Sequence, residues 1–252
     1  MSHTLPNGFG SSVVGALHER DGLPCQDAYA MIRVEPDTLV VAVADGLGSA
    51  RHSAHGSGTA ARIAAESVAA GLRSGINADP SELAEAGIVS ARLQLEQEAE
   101  ALGCELRDLG TTLIVAIAVK QMLVAAQIGD GAVVANQPQG AGLVMPPTEN
   151  EYTNEVDPLT MNDWHGQIRV SALWPECNAF AVFTDGCQRA ALQRANGDWR
   201  AFPGFFRPLF SFARTVAAPE DGEIALRELL ESDKVCANCD DDKTLVIGVL
   251  NA

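Results

Sequence analysis

Residues 111–135 read TTLIVAIAVKQMLVAAQIGDGAVVA. Two apolar runs rich in β-branched residues, 111–119 and 122–129, are separated only by Lys120-Gln121, the spacing of a tight hairpin. A third run, 131–135, follows at once across Asp130-Gly131. Outward from this block, further strands are expected at about 11–17, 27–34, 38–44, 168–173, 178–184 and 243–250. Helices are expected at about 53–74, 80–102, 188–195, 204–216 and 222–232. The first helix places Ala60, Ile63, Ala64, Ser67, Val68 and Leu72 on one face, and Pro80-Ser81 opens the second. Strands come in runs, then two long helices, then strands again. That order excludes the strict alternation of a parallel α/β fold and predicts an α+β domain with mostly antiparallel sheets and helices packed outside.

The chain has 252 residues, 47% hydrophobic and 20% charged. At that length one core buries about three quarters of the unfolded surface, so neither disulfide nor structural metal is needed for folding. No repeat or linker divides the chain, which is read as one domain, 1–252. Its longest apolar runs have about seven residues, against about 20 for a membrane span. The first ten residues lack the basic and apolar regions of a secretory signal, so a cytoplasmic protein with reduced thiols is expected. Cys236-x-x-Cys239 has no second ligand pair to make a zinc site.

Acids outnumber bases, 33 Asp and Glu against 17 Lys and Arg, for a net charge of −16. With 3 Lys and 14 scattered Arg, nucleic acid and anionic membrane are not the expected partners. Residues 136–167 have little periodicity and four Pro, and read as a long loop inside the domain that acts as a flap or shapes substrate choice.

Three Asp-Gly pairs end apolar strands: Asp45-Gly46, Asp130-Gly131 and Asp185-Gly186. Asp240-Asp241-Asp242 precedes the last strand, and Asp27 opens an early one. One such pair is a β-turn. Three on long buried strands are carboxylates able to converge on one sheet edge. Two charges about 5 Å apart repel by roughly 3 kcal/mol at an effective dielectric near 20, so converged acids need protons or cations. Oxygen donors without a nearby His pair select Mg²⁺ or Mn²⁺ over Zn²⁺. Two such ions activate water for in-line attack on phosphorus. No thiolate phosphatase loop, P-loop, nucleophile elbow or H-E-x-x-H is present.

The ordered set CQDA (25–28), VADGLGSA (43–50), GTTL (110–113), IGDG (128–131), FTDG (183–186) and DDKTLVIGV (241–249) resembles the metal-dependent protein phosphatases of type 2C, nearest to their compact bacterial branch. The resemblance runs from about Gly8 to Leu250. It implies a central antiparallel β-sandwich flanked by helix pairs, with a binuclear site at one sandwich edge. It implies hydrolysis of phosphoserine or phosphothreonine in proteins by metal-bound water, with two or three Mn²⁺ or Mg²⁺ and an opposing protein kinase. Asp45 matches the carboxylate that bridges both metals, and Gly46 the glycine that offers its carbonyl. Asp185 and Asp241 match ligands of the first metal, Asp27 an acid that holds metal-bound water, and Asp130 the acid tied to a third metal. Asp241 is preferred because D-D-K-T-L matches the pattern before the final strand, leaving Asp240 and Asp242 to solvent.

The chain departs from the family at three points. Gln26 replaces a Glu, Leu47 stands where other members carry a histidine proposed as general acid, and Gly22 stands where they carry a phosphate-binding Arg. His18 or Arg20 is expected to take over the phosphate. His52 and His55 read as cap or surface residues. Two rival functions are a degenerate phosphatase-fold module that binds a phosphoprotein, and a small-molecule phosphohydrolase.

Overall fold

The structure, a computed structural model, describes residues 8–75, 78–148, 156–237 and 239–250. Two five-stranded antiparallel sheets face each other. One contains, in spatial order, β2 (Ala28–Glu35), β3 (Thr38–Ala44), β4 (Leu113–Val119), β5 (Met122–Ile128) and β8 (Arg169–Val170). The other contains β1 (Gly8–Val13), β12 (Lys243–Val249), β9 (Ala179–Phe183), β6 (Ala132–Gln137) and β7 (Gly140–Met145). Helices α2 (Ser53–Arg73) and α3 (Pro80–Leu102) cover the first sheet, and α5 (Pro203–Ala213) and α6 (Pro219–Leu230) the second. The expected α+β sandwich flanked by helix pairs is the observed architecture.

The unbroken apolar runs follow from this layering. In β3, Val40 and Ala42 pack toward the helices while Leu39, Val41 and Val43 pack toward the other sheet. A strand buried on both faces has no polar side to alternate with. The hairpin at Lys120-Gln121 forms as expected, with Val119 opposite Met122 and Lys120 at φ 56°. The Ala-rich face of α2 lets α3 approach so closely that a Cβ on Gly87 would stand 2.7 Å from Val68 Cγ2. At the start of α3, the Asp79 side chain accepts from Ser81 N at 2.9 Å, with Pro80 in the first turn.

Four expected segments change. The strand over 11–17 is β1 at Gly8–Val13 followed by a short helix, α1 (Ala16–Asp21). Gly15 makes that turn because a Cβ there would lie 2.2 Å from the Asp241 carbonyl carbon. The helix over 188–195 is α4 (Gln188–Ala191) and then β10 (Leu192–Ala195), paired with β11 (Asp198–Ala201). Asn196-Gly197 between them has positive φ at both residues, the geometry of a tight hairpin turn. The strand over 168–173 shrinks to two residues. The stretch 136–167 is not one loop. It begins with the edge hairpin β6–β7, whose register slips near Val133. Its far part is pinned to α3, where Arg92 donates to the carbonyls of Leu159 and Met161 at 2.8 Å each. The middle of that stretch, 149–155, lies outside the described residues.

Candidate active site

Antiparallel registers carry the acids to one end of both sheets. The start of β2 faces the end of β3, with Ala28 opposite Ala44, and the start of β4 faces the end of β5, with Leu113 opposite Ile128. In the second sheet Phe183 at the end of β9 faces both Ala132 at the start of β6 and Leu245 near the start of β12. Asp27, Asp45, Asp130, Asp185 and Asp241 flank those strand ends. A cleft of about 300 Å³ opens there, lined by His18, Asp45, Gly46, Leu47, Thr112, Asp130, Asp185 and Asp241 among others. Asp27 sits behind this wall and is 7% exposed.

Each backbone is clamped. The Asp45 carbonyl accepts from Thr112 N at 2.8 Å and Thr111 Oγ1 at 2.9 Å, and Asp45 N donates to Thr112 Oγ1 at 3.1 Å. Gly46 N donates to the Gln26 carbonyl at 3.1 Å. A Cβ on Gly46 would stand 2.6 Å from that same carbonyl oxygen, so the glycine is required by packing against residue 26. Thr184 Oγ1 donates to Asp27 Oδ2 at 2.7 Å. Gln188 Nε2 donates to the Asp130 carbonyl at 2.7 Å.

The carboxyls resist ionisation. Burial, then the charges of Asp27 and Asp185, raises Asp45 well above the usual range. Burial, only partly offset by the Thr184 hydroxyl, takes Asp27 to about 7. Burial and then Asp185 take Asp130 to about 6. Asp185 is raised by burial and then Asp241. Asp45 and Asp185 stand close enough that Asp185 pushes the Asp45 carboxyl up, in addition to the larger effect of burial.

Two buried oxygens there, Asp27 Oδ1 and Asp185 Oδ1, have no hydrogen-bond partner. Among the described residues no three His, Cys, Asp or Glu side chains already form a metal nest. The cleft nevertheless fits a hard divalent cation: its donors are carboxylate oxygens, and two of them, Asp27 Oδ1 and Asp185 Oδ1, are buried without a partner.

The other expected residues divide. His18 lies on the cleft wall, its Nδ1 2.9 Å from Asp242 Oδ2. Arg20 points to solvent with a 69% exposed side chain, pairs with Asp21, and does not line the cleft. His52 is exposed at the start of α2, and His55 pairs with Glu98 of α3. Asp242 does not face solvent: it is 3% exposed and accepts from Gly15 N at 2.6 Å and Gln26 N at 2.5 Å. Buried Lys243 donates to the Asp241 carbonyl at 2.8 Å. Asp242, Lys243 and Thr112 escaped the sequence reading as site residues, although the quoted D-D-K-T-L and G-T-T-L segments contain them.

The sequence pattern of the family Protein phosphatase 2C matches residues 14–231. The chain belongs to the protein phosphatase 2C family. It is 30% identical over 246 residues to Serine/threonine-protein phosphatase 3 of Escherichia coli (strain K12), covering 95% of this chain and 96% of that one. A bacterial serine phosphatase shares the fold at TM-score 0.62 and 14% identity, covering 98% of each chain. RsbX, solved in complex with magnesium, does so at TM-score 0.55 and 15% identity, over 98% of this chain and 96% of that one. This protein phosphatase 2C member is a metal-dependent serine/threonine protein phosphatase. None of its described helices is long and apolar enough to cross a membrane.

Proposed function

We propose that the acidic cleft is a binuclear Mg²⁺ or Mn²⁺ centre at which one catalytic domain, spanning the chain, removes phosphate from phosphoserine and phosphothreonine in proteins. The convergence of carboxyls from both sheets, with two buried oxygens left unpartnered, carries this reading. Asp45 would be shared by the two ions, with the Gly46 carbonyl beside it. Asp185 and Asp241 would complete one coordination shell, Asp27 would hold water at the site, and Asp130 would serve a third ion. When bound, divalent cations supply a nucleophile from water at neutral pH and neutralise charge on the phosphoryl oxygens.

The chain's own residues do the positioning. Thr111 and Thr112 hold the Asp45 backbone at the end of β3. Asp242 fixes the His18 ring through Nδ1, leaving Nε2 to orient the phosphate on the cleft side. Leu17, Leu47 and Val156 form apolar parts of the wall, so the far part of 136–167 contributes to substrate shape. The protein would act in the cytoplasm, where its six free cysteines would stay reduced, against an opposing protein kinase.

A substrate panel tests this. With Mg²⁺ or Mn²⁺ present, phosphoserine and phosphothreonine peptides should be hydrolysed with kcat/KM well above that for sugar phosphates and nucleotides. Equal or better hydrolysis of the small molecules would overturn the assignment.

A further inference from the structure

The acidic cleft carries three apolar side chains that neither the acids nor the core accounts for. Leu17 comes from α1, Leu47 from the loop after β3, and Val156 from the segment that leads to Leu159. None of them belongs to the hydrophobic core beneath either helix pair or between the sheets. Leu17 is 45% exposed. A single exposed leucine needs no explanation. Three apolar side chains brought from separate segments to one cleft do.

The backbone under each is held. Leu17 N donates to the Asp240 carbonyl at 3.1 Å, and Leu47 N donates to the Gly110 carbonyl at 2.9 Å. Three residues beyond Val156, Leu159 N donates to the Thr111 carbonyl at 2.7 Å, and the Leu159 carbonyl accepts from buried Arg92 at 2.8 Å. α1 also closes on the loop after β3, since a Cβ on Gly48 would stand 3.9 Å from His18 Nε2. Leu17 and Leu47 are the chain neighbours of that pair, so both stand beside the ring that orients the phosphate.

A phosphoryl group has no use for this wall. Its charged oxygens need cations and hydrogen-bond donors, and apolar surface only strips water from them. The side chain that carries the phosphate in phosphoserine is a single methylene long. An apolar wall beside the phosphate therefore faces the residue next to it in the substrate.

We propose that Leu17, Leu47 and Val156 form a subsite for a bulky apolar side chain adjacent to the phosphoresidue. The preferred substrates are then phosphoserine and phosphothreonine segments with Leu, Ile, Met or Phe beside the phosphate-bearing residue. This rests on the catalytic reading above and names the substrate class within it. Apolar surface on a fixed backbone gains buried area from such a residue without reordering the site. A polar residue in the same place loses water and finds no partner. Apolar pockets discriminate by about 10–200-fold in this way.

The test is steady-state hydrolysis, with Mn²⁺, of one phosphoserine peptide made with Leu or Asn immediately before and immediately after the phosphoserine. Leu and Asn are both uncharged and similar in size, so the net charge of −16 does not enter the comparison. At one or both positions the Leu peptide should have kcat/KM at least tenfold above that of the Asn peptide, with the difference in KM. Leu17→Asn should cut that ratio to threefold or less, and Leu17→Met should keep it. Leu17→Arg should raise the ratio of a Glu peptide to the Leu peptide at least tenfold, a reversal that a merely structural role does not produce. α1 has no buried residue, so these variants should keep the melting temperature of the wild type. If Leu17→Asn fails to fold, Val156→Asn replaces it. Equal kcat/KM for Leu and Asn at both positions, or a ratio that the Asn variant leaves intact, would overturn the subsite while the phosphatase stands. No hydrolysis of any of these peptides would overturn the catalytic reading and the subsite with it.

Discussion

Asp242 Oδ2 receives the His18 ring at 2.9 Å while the same carboxylate holds the backbone N–H groups of Gly15 and Gln26. One buried acid therefore joins α1, the approach to β2 and the start of β12, beside the candidate ligand Asp241. Its removal strands two buried N–H donors, each worth about 1–3 kcal/mol. Asp242→Ala should lower stability by about 3 kcal/mol in urea unfolding with EDTA present. A loss below about 0.5 kcal/mol would show that the acid is not structural.

His18 and Arg20 lie two positions apart but in different surroundings. His18→Ala should lower kcat/KM toward a phosphopeptide by about tenfold or more, equivalent to about 1.4 kcal/mol of transition-state stabilisation. Arg20→Ala, on an exposed side chain, should stay within about twofold of wild type. Steady-state kinetics of the two variants decide between them, and equal losses would put Arg20 back in the site.

The stripped protein should lose stability as pH rises. An unfolded Asp titrates near 3.8, whereas folded Asp130 titrates at about 6 and folded Asp27 at about 7. Between those values the native state holds protons that the unfolded chain has released, so these two groups lower stability from about pH 4 to 7. Each group accounts for on the order of 3 kcal/mol. Urea midpoints across this range in EDTA check the slope. Millimolar Mg²⁺ should flatten it, because cation binding takes over from the protons. A midpoint that rises with pH in EDTA would contradict the assignment of raised carboxyls.

Asp45→Asn replaces a carboxyl whose charged form burial and the neighbouring acids disfavour with a neutral group of the same shape. In EDTA at pH 8 the variant should be at least as stable as wild type. Adding Mn²⁺ should raise the melting temperature of wild type and leave that of the variant in place. Calorimetric scans with and without the ion read both effects.

Gly46→Ala should destabilise by about 1–3 kcal/mol, the usual range for overpacking a dense site. Its Cβ would press on the Gln26 carbonyl oxygen and on Ser53. Thermal unfolding in EDTA isolates this from any change in metal binding.

The sheets were legible because β3, β4, β5 and β9 are buried on both faces and therefore spell continuous apolar runs. The acids at their ends were legible because antiparallel pairing places alternate strand ends together. The edges were not. β1 carries Gly8, Gly10, Ser11 and Ser12, and its place is set by pairing with β12. The β10–β11 hairpin looked helical because Gln188 to Ala195 lacks β-branched residues, and the Asn196-Gly197 turn signal went unused. Asp242 was misjudged because three adjacent acids look alike in sequence. Only the turn at Gly15 decides which of them is enclosed.

The most direct measurement is hydrolysis of a phosphoserine peptide by the purified protein with Mn²⁺, with EDTA, and by the Asp45→Asn variant with Mn²⁺. The account predicts turnover in the first case and loss of at least two orders of magnitude in the other two, about 2.7 kcal/mol or more. Turnover that survives EDTA, or that Asp45→Asn retains, would contradict a metal-dependent phosphatase centred on this carboxyl.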